Sequence, residues 1–136
     1  QTLSMFLAGT VVAPRIGYRE TTWIAYVTIA TATIATPYIR NIHLLFLVHG
    51  LGTLGRGLAY PILMGLAIQG IPQEEKATAM GFFQAVYAAG MFFGPAAGGF
   101  IGDAFGLSGV FYCAGVVYLI SAVMSAFTLP KKPVDK

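Results

Sequence analysis

Charge is what this sequence has least of: eight Lys or Arg and five Asp or Glu among 136 residues, 10% in all. Soluble domains carry about a quarter, so a soluble globular domain is excluded on composition. Cysteine is nearly absent as well. Cys113 stands alone inside an apolar run, which rules out a disulfide framework within the sequence and a cysteine-based zinc site. No Ser/His/Asp set, metal-ligand cluster or phosphate-binding glycine loop appears, so neither an enzyme nor a metal or cofactor site is expected. The net charge of +3 does not indicate nucleic acid, because the basic residues sit at the ends of apolar runs, where they anchor and orient membrane spans.

What the sequence has in abundance is uncharged apolar length. Hydrophobic residues make up 57% and the mean hydropathy is +0.74. A run of about 18 or more apolar residues reads as a spanning helix, and the runs here are residues 21–39, 42–69, 77–102 and 108–129. Residues 1–13 resemble the last part of a further span, and 130–136 form a basic tail. The expectation is an all-α, polytopic helix bundle of about five spans. Barrel strands would alternate over about ten residues, and these runs do not. Trp23 and Tyr38 stand near the two ends of one run, at headgroup depth. The sequence opens on Gln1 in mid-run without a signal peptide's basic region, which reads as truncation on the N-terminal side.

Alternating the sides of the spans places Arg15, Arg19, Lys76, Lys131, Lys132 and Lys136 on one face and only Arg40 on the other. The positive-inside rule makes the first face cytoplasmic, so the C-terminus is expected inside, in a multi-pass protein of the cell membrane.

The most informative residue is Arg56, near the middle of its span. Arginine there costs about 2.5 to 3.5 kcal/mol on insertion scales and needs water or a partner. At about 100° per residue, His49, Thr53, Arg56 and Tyr60 share one stripe of an otherwise apolar helix. Two readings compete: Arg56 binds an anionic or polar substrate, or it is a structural charge paired with a carboxylate elsewhere. Gln84 and Tyr87 are further cavity candidates, whereas Thr28, Thr31, Thr33 and Thr36 can bond to their own helix backbone. The carboxylates Glu20, Glu74, Glu75 and Asp103 lie at span ends.

Glycine is concentrated in two places. Gly50, Gly52, Gly55 and Gly57 surround Arg56, with Pro61 beyond. Gly81, Gly90, Gly94, Pro95, Gly98 and Gly99 follow the spacing G-x8-G-x3-G-P-x2-G-G. Gly90, Gly94 and Gly98 line one face, and such small-residue faces let a second backbone approach. Close packing is the default reading of both; a hinge or sliding surface is the sharper reading of the second.

With these residues in view, the whole chain resembles a major facilitator superfamily transporter. Pro14-Arg15-Ile16-Gly17-Tyr18-Arg19 resembles the family's Asp-Arg-x-Gly-Arg-Arg cytoplasmic loop, departing at Pro14 and Tyr18, so Arg15, Gly17 and Arg19 carry the loop motif. The stretch Gly81–Gly99 matches the pattern associated with the fifth span of proton-coupled drug exporters, and Asp103-Ala-Phe-Gly106 with Phe111 suits the turn that follows. The family has twelve spans in two halves. The full glycine pattern favours spans two to six. Pro14, Phe46 in place of a first-half arginine, and the basic tail favour spans eight to twelve, the assignment adopted here. The resemblance then implies a missing N-terminal half of the same chain and a cavity-lining role for the span of Arg56. It also implies alternating-access transport of a small molecule across the lipid bilayer. Proton-coupled efflux of drugs or metabolites, as an antiporter, is the leading form. Uptake of an anionic metabolite through Arg56 and a non-transport membrane scaffold are the alternatives.

Overall fold

The computed structural model describes residues 17–129, and every regular element in them is helical. Helix α1 spans Tyr18–Ala35 and runs into a single 3-10 turn at Thr36–Tyr38. Helix α2 spans Ile42–Ala67, and a continuous helical run, α3, spans Lys76–Thr128. Residues 1–13 and the tail 130–136, together with Arg15, lie outside the described residues.

These helices follow from composition. The runs of α2 and α3 are long and apolar enough to cross a membrane. In such a segment every backbone N–H and C=O must be paired within the segment, which the helix alone does for a single chain stretch. Helix α1 is more polar, with Arg19, Glu20 and five threonines. Four of its hydroxyls bond back to the helix backbone, Thr21 donating to the Gly17 carbonyl at 2.8 Å, Thr28 to Ile24 at 2.8 Å, Thr31 to Val27 at 2.9 Å and Thr33 to Ile29 at 2.7 Å, while the buried Thr22 hydroxyl has no partner among the described residues. Asn41 starts α2, its Oδ1 accepting from the His43 backbone N–H at 2.9 Å.

A straight helix of 53 residues would be about 80 Å long, far more than the roughly 30 Å hydrocarbon core. Gly106 breaks it, with φ 72° and ψ 176°. Residues 98 and 110 would stand about 18 Å apart on one helix. Instead a Cβ placed on Gly98 would meet Val110 Cγ1 at 3.8 Å, and one on Gly102 would meet Val110 Cγ2 at 3.5 Å. The chain therefore doubles back at Gly106, and α3 is two arms, residues 76–105 and 107–128.

The described residues divide into two compact units, residues 17–62 with 111–129, and Leu63–Val110. In the first, α1 lies against α2 and against the second arm of α3. Gly52 faces Ala32, and Gly55 faces Ile29 and Ala25, so α1 and α2 run antiparallel. Tyr26 and Tyr118 rings lie 6.5 Å apart, Tyr38 and Tyr112 rings 6.2 Å, and Gly115 packs on Ile34, so this pairing is antiparallel too. Ala25, Ile29, Ala30, Ala59, Ile62 and Ala122 form the apolar core, joined by buried Thr21, Thr22 and Ser125. The side chains are small because association within a bilayer rests on close van der Waals approach rather than on escape from water. In the second unit, the helical hairpin of residues 76–110 has its large side chains outside: Phe82, Phe92, Phe100 and Phe105 are each more than 70% exposed, as suits a surface solvated by lipid or by other spans.

Two glycine substitutions test this architecture. A Cβ at Gly55 would lie 2.8 Å from Ile29 Cγ1 and 2.9 Å from the Ala25 carbonyl oxygen, and backbone cannot rotate away. Gly55→Ala is expected to lower stability by about 1 to 3 kcal/mol, whereas Gly65→Ala, which meets nothing within 4 Å, is expected to cost nothing. Thermal midpoints of the two variants in the same detergent decide the matter. Gly106→Ala forces a side chain into a backbone region that is essentially glycine's own, at a cost of about 1 to 3 kcal/mol; an unchanged midpoint would contradict the assigned turn.

Candidate functional site

The site is built on the middle of α2. Its packing stripe is Gly52, Gly55, Ala59 and Ile62, all buried, at spacings of three and four. His49, Thr53, Arg56 and Tyr60 form a second stripe about 110° round the helix from the first. Because Gly55 must face α1, its neighbour Arg56 must face away, and its side chain is exposed while Thr53 and Tyr60 are half-buried. His49 is exposed as well.

The structure links three of the four. Side chains on a helix lean toward its N-terminus, and Arg56 does so: its Nη2 donates to Thr53 Oγ1 at 3.5 Å. Thr53 Oγ1 in turn donates to the His49 carbonyl oxygen at 2.8 Å. The second bond is short and firm; the first is at the long limit of a hydrogen bond. Thr53 thus uses its proton on its own backbone and presents a lone pair to the guanidinium, which holds Arg56 loosely over the stripe. Among the described residues Arg56 makes no ion pair, and its side chain is exposed.

Pro61 lies one turn beyond the arginine. It has no N–H, so the carbonyl of Gly57 loses its helical donor. Irregular backbone of this kind is tolerated within a membrane where a cavity or a neighbouring span covers it. Chemically the stripe offers a positive charge with the Thr53 and Tyr60 hydroxyls on the same helix face. It can bind and orient an anion or a strong hydrogen-bond acceptor, and it has no nucleophile with an activating base.

The other residues singled out from the sequence fall elsewhere. Gln84 is exposed on the first arm of α3, and Tyr87 is 47% exposed on the same arm. In the glycine stretch, only Gly98 has a neighbour among the described residues, namely Val110; Gly81, Gly90, Gly94 and Gly99 face open space, and Pro95 is exposed. In the loop motif, Gly17 is buried with φ 100°, and its carbonyl accepts both the Thr21 N–H at 3.1 Å and the Thr21 hydroxyl. Arg19 is half-buried. Among the described residues no three His, Cys, Asp or Glu side chains come together as a metal site.

Sequence reasoning missed the tyrosine pairs Tyr26–Tyr118 and Tyr38–Tyr112. Nothing in the spacing along one span identifies a ring on another, although Tyr38 and Tyr112 each stand near a span end, where aromatic residues collect.

Comparison with known proteins adds one match. The family model described as Major Facilitator Superfamily matches residues 1–136. No curated protein matches the chain, and no solved structure does. A match over the full length, on helices of membrane-spanning length and composition, identifies the chain as a membrane protein that belongs to the Major Facilitator Superfamily of transporters.

Proposed function

We propose that this transporter works by alternating access on a small anionic molecule, held near the bilayer midplane by Arg56 with Thr53 and Tyr60 alongside. The observation that carries this reading is the direction of Arg56: packing at Gly55 turns it away from α1, and its only partner among the described residues is a hydroxyl at 3.5 Å. An intramembrane charge placed on such a face ordinarily meets water, substrate or a counter-charge. The five spans then correspond to spans eight to twelve, completed by an N-terminal half, with the C-terminus in the cytoplasm and the protein in the cell membrane. Gln84 on the first arm of α3 is a further cavity-lining side chain.

A second reading, efflux of drugs or metabolites in exchange for protons, is favoured by the stretch from Gly81 to Gly99. Its open glycines at 90 and 94 suit a surface on which a second helix bundle slides. Proton exchange requires a titratable group within the membrane, and the carboxylates of this sequence stand at span ends.

Two experiments test the first reading. Truncating one partner of a desolvated charge pair costs about 2 to 5 kcal/mol, so Arg56→Ala is expected to raise KM for an anionic substrate at least about thirtyfold. Arg56→Lys should retain transport of neutral substrates and lose anions, because lysine has no planar fork for a carboxylate. Retained anion transport in Arg56→Ala would overturn the assignment. Cysteine accessibility gives an assay that needs no known substrate. In a background freed of all other cysteines, Cys113→Ser included, Thr53→Cys is expected to react with a charged, membrane-impermeant thiol reagent, since only water-exposed thiols ionise readily. Gly52→Cys, facing Ala32, should stay unmodified. Equal protection of both positions would place Arg56 against protein or lipid, not water.

A further inference from the structure

The Arg56 side chain lies back along α2 toward the start of the helix. Its Nη2 is 3.5 Å from Thr53 Oγ1 and 3.9 Å from the point where a Cβ on Gly52 would stand. The bare backbone at 52 therefore makes room for the arginine head as well as for Ala32 of α1. At about 1.5 Å of rise per residue, the Cα atoms of His49 and Arg56 stand about 10 Å apart along the axis. The guanidinium, at the level of residue 52, is only about 5 Å along the axis from the His49 Cα.

His49 stands on the same line. Between 49 and 56 the helix makes almost two full turns, so the two side chains project within about 20° of each other. Both are exposed, and among the described residues the imidazole has no hydrogen-bond partner. Imidazole offers an N–H whether neutral or protonated. Thr53 stands between the two, its own proton committed to the His49 carbonyl. The elements packed against this part of α2 bring no counter-charge. The charged residues of α1, Arg19 and Glu20, lie in its first turn, at the opposite end of an antiparallel pair. The second arm of α3 has no charged residue at all. The nearer charged or titratable groups, Arg40 and His43 before and within the first turn of α2, are basic too.

We propose that His49 is the second anchor of the Arg56 site, and that the substrate carries two anionic groups a few carbons apart, as a short-chain dicarboxylate does. The proposal rests on the reading of Arg56 as an anion site and names the class of anion. One carboxylate lies on the planar fork of Arg56, the other accepts from the His49 N–H, and the carbons between them run along the stripe beside Thr53. A monocarboxylate reaches one anchor only. Inorganic phosphate matches a dicarboxylate in charge but is too compact to span the two.

Binding to the full-length transporter in detergent is read from the rise of its thermal midpoint with ligand concentration, using butyrate, succinate, glutarate and inorganic phosphate as probes. The better of the two dicarboxylates is expected to bind at least about tenfold more tightly than butyrate, the size of one added hydrogen bond to a charged group. His49→Ala should abolish that advantage and leave butyrate binding unchanged, whereas Arg56→Ala should weaken both classes. Equal affinity for butyrate and both dicarboxylates would overturn the second anchor while leaving the anion site at Arg56 standing. Loss of butyrate binding in His49→Ala, to the same extent as dicarboxylate binding, would overturn it in favour of an indirect role for the histidine. Phosphate binding as tight as that of the dicarboxylates would overturn it in favour of charge alone. Binding of none of these anions would overturn the reading of Arg56 itself.

Discussion

The approach of α1 to α2 at Gly55 is the contact on which the rest of the described structure depends. Inside a bilayer, backbone polar groups are satisfied by each helix separately, so helices have only shape left with which to choose partners. At Gly55 the fit is so close that even a methyl group would overlap the Ala25 carbonyl and the Ile29 side chain. That single requirement fixes the rotation of α2 about its axis. Once Gly55 faces α1, the helical repeat places Gly52, Ala59 and Ile62 with it and carries His49, Thr53, Arg56 and Tyr60 round to another side. The orientation of the polar stripe is therefore a consequence of packing, not of any attraction the stripe itself exerts.

Glycine serves three distinct purposes along this chain. At 52, 55 and 115 it admits a neighbouring helix. At 106 it supplies a backbone conformation that turns a run too long for the membrane into two arms. At 81, 90 and 94 it leaves an open surface flanked by exposed phenylalanines. Only the first two contribute to the packing and the turn seen among the described residues. Glycine in a helix interior costs about 1 kcal/mol relative to alanine, so an open row of it weakens the helix without local return. Together with Pro95, which strips the Met91 carbonyl of its helical donor, it makes this segment the most easily deformed part of the first arm of α3.

Much of this was legible in the sequence because the bilayer imposes a simple rule on composition. Uncharged runs near 20 residues announced helices, and the turn near Asp103 and Gly106 was visible as polar and glycine punctuation between two such runs. The polar stripe followed from the 3.6-residue repeat, which depends on α2 alone. What could not be read were the partners. Periodicity says that Gly55 lies on a face, and nothing along α2 says that Ala25 and Ile29 fill it. The same limit hid the tyrosine pairs, each of which joins residues about 70 or more positions apart. The glycines at 90 and 94 mark the same limit, since their spacing defines a small-residue face and names no partner for it, and none of the described residues covers it.

Arg56 then has an energetic logic. A leucine in its place would insert more favourably by about 3 kcal/mol, and a purely structural charge would be expected to recover that difference through a short, well-directed pair. The one partner among the described residues is a threonine hydroxyl at the long limit of bonding, already committed to the His49 carbonyl. Such a tether recovers little of the cost, and it also costs little to displace. It keeps the guanidinium over the stripe, trims its freedom before a ligand arrives, and leaves its planar donors available. A charge held that loosely on a helix packed that tightly is better suited to exchanging partners than to keeping one, and exchange of partners at mid-membrane is what a transporter's binding site has to do.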